Sequence, residues 1–356
     1  LPSDIIIDIF TRLPVKSLAQ FKCVAKPIYA LLHNPNFIKR HLDHKIHQDP
    51  NLILKLDSKL FAVEDEEWRK ARRLQLPFAQ SLEKLELSGS CNGLLCISDQ
   101  LCNEDIFLYN PSTGSFNKLS FPEFDIPTSE TTCFTALGFG YHHGGGDDYK
   151  VIRFVYHYDK PFVDIDSYEC EARVYSLRNN TWKKTPDVPF HISSRAGLWL
   201  GNEFLVWKAS RGFGRRMSTL VVCFDMEKEE FREIPQPKLQ DNEDSHIELG
   251  KLGSWFCIYH VSRNEGVGIW SMMEFGVKES WAMLYFIGRP VIVDEYFMYL
   301  RPVTVLNTGE ILVNKGEGEL ILYDPQGETY RDVNIRGATR RFVASAYVGS
   351  LVSPSS

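Results

Sequence analysis

The 356-residue sequence contains no uninterrupted apolar run approaching the roughly 18 residues that a helix needs to cross a bilayer, so no membrane partner is expected. Its first residues, LPSDIIIDIFTRL, lack a basic leader and are broken by acids, which excludes reading them as a secretory signal. The sequence starts without Met, so a native N-terminus further upstream is expected. Eight cysteines (Cys23, Cys91, Cys96, Cys102, Cys133, Cys170, Cys223 and Cys257) are scattered, with no CxxC pair and no His at zinc-finger spacing. That excludes a disulfide framework and a structural zinc site, and points to buried thiols in a reducing, cytoplasmic compartment, with the nucleus also open to such a chain.

Catalytic signatures are missing as well. There is no GxSxG, no HExxH and no paired-carboxylate spacing. GFGYHHGGGDD (138–148) lacks the Gly-Lys-Ser/Thr of a phosphate loop and runs into the strand-like YKVIRFVY, so it reads as a loop between strands. His41, His44 and His47 are spaced by three, but a Lys/Asp-rich chain that leaves its helix near Asp43 makes them solvated polar residues rather than metal ligands. No catalytic residue, cofactor or metal ligand is assigned.

Charge is unevenly spread. The net value is −6, residues 1–45 carry +4, and the remainder therefore carries −10. An acidic body argues against nucleic acid as its partner and suits a basic protein ligand.

What is present falls into two regions. With 44% hydrophobic and 13% aromatic residues the chain can bury a large interior. In residues 1–45, Ile5, Ile6, Ile9, Phe10 and Leu13 recur at helical spacing after Pro2, Ser3 and Asp4. Pro14 opens a second helix carrying Leu18, Phe21, Val24 and Ile28, and Asn34-Pro35-Asn36 precedes a third with Phe37, Ile38 and Leu42. So short a unit cannot enclose all its apolar residues, and a docking role is expected.

From about residue 50 the helical period gives way to strands and turns. A loose repeat of aromatic strand, polar turn and second aromatic strand is anchored at Tyr109, Tyr175, Phe224, Trp270 and Tyr323, spaced by 66, 49, 46 and 53 residues. Most are preceded by a hairpin-like piece: GSCNGLLCI (89–97), GLWLGNEFLVW (197–207), LGSWFCIYH (252–260) and LNTGEILVN (306–314). This spacing predicts one four-stranded propeller blade per unit, about six blades, with Trp199, Trp207, Trp255, Trp270 and Trp281 in the blade core. FVASAYVGSLVSP (342–354) has no unit of its own to complete, and is expected to pair with residues 51–63 and close the ring.

These residues carry a resemblance. LPSDIIIDIFTRLPVKSLAQFKCVAK resembles the F-box, with Leu-Pro at its start, a second Leu13-Pro14 and Cys23 to Lys26 at its end. GSCNGLLCI, LYNPSTG, LGFGYHHGGGDDYKVIR and VYSLRNNTWKK resemble the F-box-associated domain of plant F-box proteins, and NPNFIKRHL and YVGSLVSP resemble the S-locus F-box and S-locus-like group. The resemblance implies a mainly β fold: a three-helix F-box at 1–45 followed by a β-propeller-like, kelch-like recognition domain at 50–354. It implies a substrate receptor without catalysis, joined to a Skp-family adaptor and through it to a cullin scaffold in a ubiquitin ligase. The adaptor-facing residues map to Leu1, Pro2, Ile9, Leu13, Pro14, Leu18, Val24 and Ile28. In the S-locus branch the target would be a basic S-ribonuclease in pollen self-incompatibility. The basic loop RGFGRR offers Arg211, Phe213, Arg215 and Arg216 as substrate contacts, since loop tips on rigid scaffolds commonly carry recognition.

The sequence departs from the F-box pattern at Pro27 and Ile28, where the family has a polar residue and Trp. Proline there is expected to end or kink the second helix. The rival reading is therefore a stand-alone binding module with weakened adaptor docking. A propeller enzyme is the other rival, but the repeats show no inward Asp or Glu at matching positions.

Overall fold

The computed structural model describes residues 3–21, 24–64, 68–99, 105–120, 124, 133–144, 146–158, 168–201, 203–211, 218–239, 245–262, 265–288, 300–316, 318–338 and 341–355. Among them, four α-helices precede six β-sheets arranged as a six-bladed propeller.

The helices are α1 (Ser3–Arg12), α2 (Val15–Phe21), α3 (Lys26–Leu32) and α4 (Pro35–Ile46). Asp4 in the first turn of α1 and Arg12 in its last match the helix dipole. The Asn34 side chain caps α4, accepting from the backbone N–H of Asn36 at 2.9 Å and of Phe37 at 3.4 Å. Two expectations are corrected here. The second helix does not continue through Val24 and Ile28: it stops at Phe21, whose carbonyl takes the Val24 N–H at 3.0 Å, and α3 begins afresh. Pro27 is thus neither kink nor breaker but a first-turn residue of α3, where the missing N–H has no helical partner to lose. The last helix also runs past Asp43 to Ile46.

From channel to rim, the second blade is Leu85–Cys91, Leu94–Asp99, Ile106–Tyr109 and Phe116–Lys118. The third is Cys133–His142, Asp148–Tyr158, Tyr168–Ser176 and Thr181–Lys184. In the fourth, His191–Ile192 and Leu198–Trp199 both pair with Phe204–Arg211, followed by Ser218–Asp225 and Glu230–Ile234. The fifth is Ser245–Leu252, Trp255–Ser262, Gly266–Met272 and Trp281–Gly288; the sixth is Leu300–Val305, Ile311–Lys315, Glu319–Asp324 and Thr329–Asp332. The first blade takes its inner strand, Val343–Tyr347, from the C-terminal end and adds Asn51–Leu56, Lys59–Val63 and Arg72–Arg73. Antiparallel pairing of Asn51 with Tyr347 through Lys55 with Val343 closes the ring as expected, giving the first blade an inner strand from the other end of the chain.

All five aromatic anchors lie on third strands. Tyr109 faces Phe116, Tyr175 faces Trp182, Phe224 faces Phe231 and Tyr323 faces Tyr330 across the outermost hairpin. The repeat read from sequence is the third and fourth strand of each blade, and the preceding hairpin pieces are the first and second. Six apolar clusters fill the six gaps between neighbouring blades. Trp207 shows how tightly: it is fully buried, and a Cβ on Gly138 or Gly197 would come within 2.2 Å or 2.5 Å of its indole. The other tryptophans differ. Trp199, Trp270 and Trp281 are half-buried, and Trp255 is exposed at a hairpin turn rather than in the core.

Inner strands of adjacent blades run the same way, with Leu137 bridging Ala196 in parallel. Turns between first and second strands therefore share one face of the disc. Turns between second and third strands share the other.

Candidate functional site

The four helices sit on the face of the first-to-second-strand turns. Ile38 and Leu42 of α4 pack with Cys91, Leu94 and Tyr141 at the junction of the second and third blades. The Lys39 ammonium lies 3.6 Å from the Asp147 carboxylate, and Asp49 accepts the backbone N–H of Asn307 at 2.8 Å. Burial tends to raise the pKa of Asp147, but the hydrogen bond from Tyr141 and the charges of Lys39 and His143 outweigh it and hold the carboxyl below its usual range.

The C-terminal tail fastens this seam. Leu351 joins Val15, Leu18, Leu32 and Phe37 in the core of the helical unit, while Val352 joins the cluster between the second and third blades. The Asn110 side-chain amide, in the LYNPSTG turn, donates to the carbonyls of Ser350 at 3.1 Å and Val352 at 2.8 Å. Gly93 makes room: its φ is +83°, and a Cβ there would lie 2.5 Å from the Ser350 Cβ. The helices are thus built partly on residues more than three hundred positions away.

This arrangement sorts the residues expected at the adaptor surface. Leu18 is fully buried and holds the helices to the tail, so in this fold it faces inward. Leu13 and Ile28 are half-buried against the same cluster, and Pro14 is exposed. Ile9 is 45% exposed and Val24 68%. Leu1 and Pro2 lie outside the described residues. Ile5, Phe21 and Tyr29, not assigned from the sequence, are exposed as well and extend an apolar stripe over α1, α2 and α3. Spacing alone could not have found them all, because Phe21 and Tyr29 each lie three residues from a buried leucine, Leu18 and Leu32, on the same side of the helix.

Arg211 ends the second strand of the fourth blade on the face away from the helices, where its guanidinium pairs with Glu233. Phe213, Arg215 and Arg216 lie outside the described residues. His41 is buried, and its Nε2 donates to the Leu13 carbonyl at 3.0 Å; His44 and His47 are exposed. No metal-ligating cluster occurs among the described residues. Burial pushes the thiols of Cys96 and Cys170 up to about 12 and that of Cys257 to about 11, which keeps them protonated and unreactive. No helix among the described residues is long and apolar enough to cross a membrane.

Four helices with exposed apolar side chains, fixed to one face of a six-bladed propeller, define a two-part non-repeating head on a repeat body. The family of F-box associated beta propeller domains matches residues 54–352 and the F-box domain family matches residues 1–40, and the chain belongs to the F-box proteins that carry this propeller. It is 30% identical to F-box protein At3g07870 of Arabidopsis thaliana, with 99% of this chain and 91% of the relative covered. F-box protein CPR1 of the same plant is 28% identical, over 99% of this chain and 88% of that one. The F-box/kelch-repeat protein At3g23880 is 24% identical, over 99% and 96%. Among solved structures, TolB from Acinetobacter baumannii aligns with a TM-score of 0.48 at 11% identity, covering 87% of this chain and 70% of that one.

Proposed function

We propose that this chain is the substrate receptor of a Skp-cullin-F-box ubiquitin ligase, docking the adaptor through the stripe of Ile5, Ile9, Phe21, Val24 and Tyr29 and receiving a protein on the propeller face opposite the helices. F-box proteins are in general non-catalytic subunits, and this one would act by proximity, holding a target where the ligase arm delivers ubiquitin. The observation that carries the reading is the contrast within the helical unit: Leu18, Leu32 and Phe37 are buried together with Leu351, while Ile5, Ile9, Phe21, Val24 and Tyr29 stay between 38% and 68% exposed. Pro27 supports docking rather than a stand-alone module, because it opens α3 without disturbing α2.

The far face suits the target for a geometric reason. Adaptor and target then approach from opposite sides of a disc whose strands span roughly 20–30 Å. The −10 charge of the body favours a basic ligand, for which an S-ribonuclease in pollen is the specific reading. Co-purification with a plant Skp-family adaptor tests the docking half. The parent should form a stable complex, and Ile9→Asp with Val24→Asp should abolish it without loss of folding. A parent that binds no adaptor would leave only the stand-alone module. The target half is tested by titrating a basic S-ribonuclease against the chain and against an Arg211→Glu variant.

A further inference from the structure

The outer strands of the blades are not alike. Arg72–Arg73, Phe116–Lys118, Thr181–Lys184, Glu230–Ile234 and Thr329–Asp332 are two to five residues long, and each carries Lys, Arg, Asp or Glu. Short, charged edges are how sheets deter pairing with another chain. The outer strand of the fifth blade, Trp281–Gly288, breaks that pattern: it is eight residues long, reads WAMLYFIG, and contains neither charge nor proline.

It ends its sheet, with no further strand paired to it among the described residues, and two of its side chains are exposed. Met283 is 53% exposed and Phe286 49%. Met283 stands opposite Trp270 and Phe286 opposite Gly268, two residues apart on the neighbouring strand, so both project from one face of the sheet. Gly268 supplies no side chain to that row, and the half-buried Trp270 and the exposed Met283 lie against the space above it, 3.3 Å and 3.8 Å from where a Cβ would stand. Trp255 and Met273, at turns of the same blade, are also exposed. Exposed large apolar groups of the propeller are therefore concentrated on this blade. A one-residue bulge at Leu284 interrupts the edge, so regular pairing is confined to Tyr285–Gly288, with Met283 packing alongside.

We propose that a second copy of this chain covers this edge, the two Trp281–Gly288 strands running antiparallel about a two-fold axis. Charge selects the occupant. Self-pairing sets each edge against its own copy, and the Arg72–Arg73, Phe116–Lys118 and Thr181–Lys184 edges would then oppose Lys and Arg with Lys and Arg. The Trp281–Gly288 edge opposes only apolar groups, and the interface is self-complementary as a two-fold requires.

Sedimentation velocity on the full chain, in a dilution series and without adaptor, tests this separately from the ligase reading. The parent should pass from one copy to two as concentration rises. Met283→Lys with Phe286→Lys should weaken association by at least about tenfold, while Phe116→Lys on the second blade should leave it unchanged. A parent that stays a single copy at every concentration overturns the proposal, as does a double variant that associates like the parent. Hydrogen exchange of the parent's 281–288 amides guards against a variant that merely misfolds. Exchange should slow as concentration rises, and concentration-independent exchange contradicts the pairing.

Discussion

The side-chain amide of Asn110 donates to the carbonyl of Val352 at 2.8 Å across 242 residues of sequence, and to that of Ser350 at 3.1 Å. Its Oδ1 accepts the backbone N–H of Ser112 at 2.8 Å, so one buried side chain both shapes its own turn and holds the C-terminal tail. Asn110→Ala leaves two buried carbonyls without this donor and is expected to destabilise the chain by about 2–4 kcal/mol. Asn110→Asp should be at least as harmful, since a carboxylate would face those carbonyls. Chemical denaturation of the full chain measures both.

Leu351 carries the tail into the helical core beside Leu18 and Phe37. Leu351→Asp should loosen the helices and weaken adaptor capture although it is not part of the stripe. Faster hydrogen exchange in 15–46, with exchange in the fourth to sixth blades unchanged, is the expected signature.

Packing explains Gly138 and Gly140 of GFGYHHGGG, whose Cβ positions are taken by Trp207 and by Trp199 with Met226. A Cβ on Gly138 would meet the Trp207 indole at 2.2 Å, inside a ring cluster with no slack. Gly138→Ala should cost about 1–3 kcal/mol through overpacking. Trp207→Phe in the same chain should recover part of the loss, read as a shift in the denaturation midpoint.

His41 predicts an acid-side loss of stability. Burial depresses its pKa below the ordinary 6.5; the Leu13 carbonyl opposes this, and nearby Lys45 and His44 add to it. The unfolded chain therefore takes up a proton at higher pH than the folded one. Stability is full above 6.5 and falls as pH drops from 6.5 towards the folded value. His191 and His246 are depressed by burial too and share the effect. His41→Gln should shrink the difference in denaturation midpoint between neutral and mildly acid buffer without removing it.

Much of the fold was legible because its signals are local. The aromatic anchors Tyr109, Tyr175, Phe224 and Tyr323 recur because each third strand needs a ring opposite its outer hairpin, and Asn92-Gly93 announces its turn through two positive φ angles. The closing strand could be foreseen since 342–354 had no local partner. What escaped was long-range. Leu18 reads as one more apolar residue on a docking helix, and only the arrival of Leu351 turns it inward. Pro27 reads as a breaker unless α2 is known to have ended at Phe21. Trp255 has the composition of core, yet falls at a turn where no neighbouring blade reaches it.

The central claim is that one outward stripe docks the adaptor while the rest of the chain is free to hold a target. Hydrogen exchange of the full chain, alone and with a plant Skp-family adaptor, tests it most directly. The account predicts slowed exchange in 5–13 and 24–32, with no change at strand ends such as Arg211 and Ser218 on the far face. Protection on the far face, with Ile9 and Val24 exchanging as in the free chain, would contradict it.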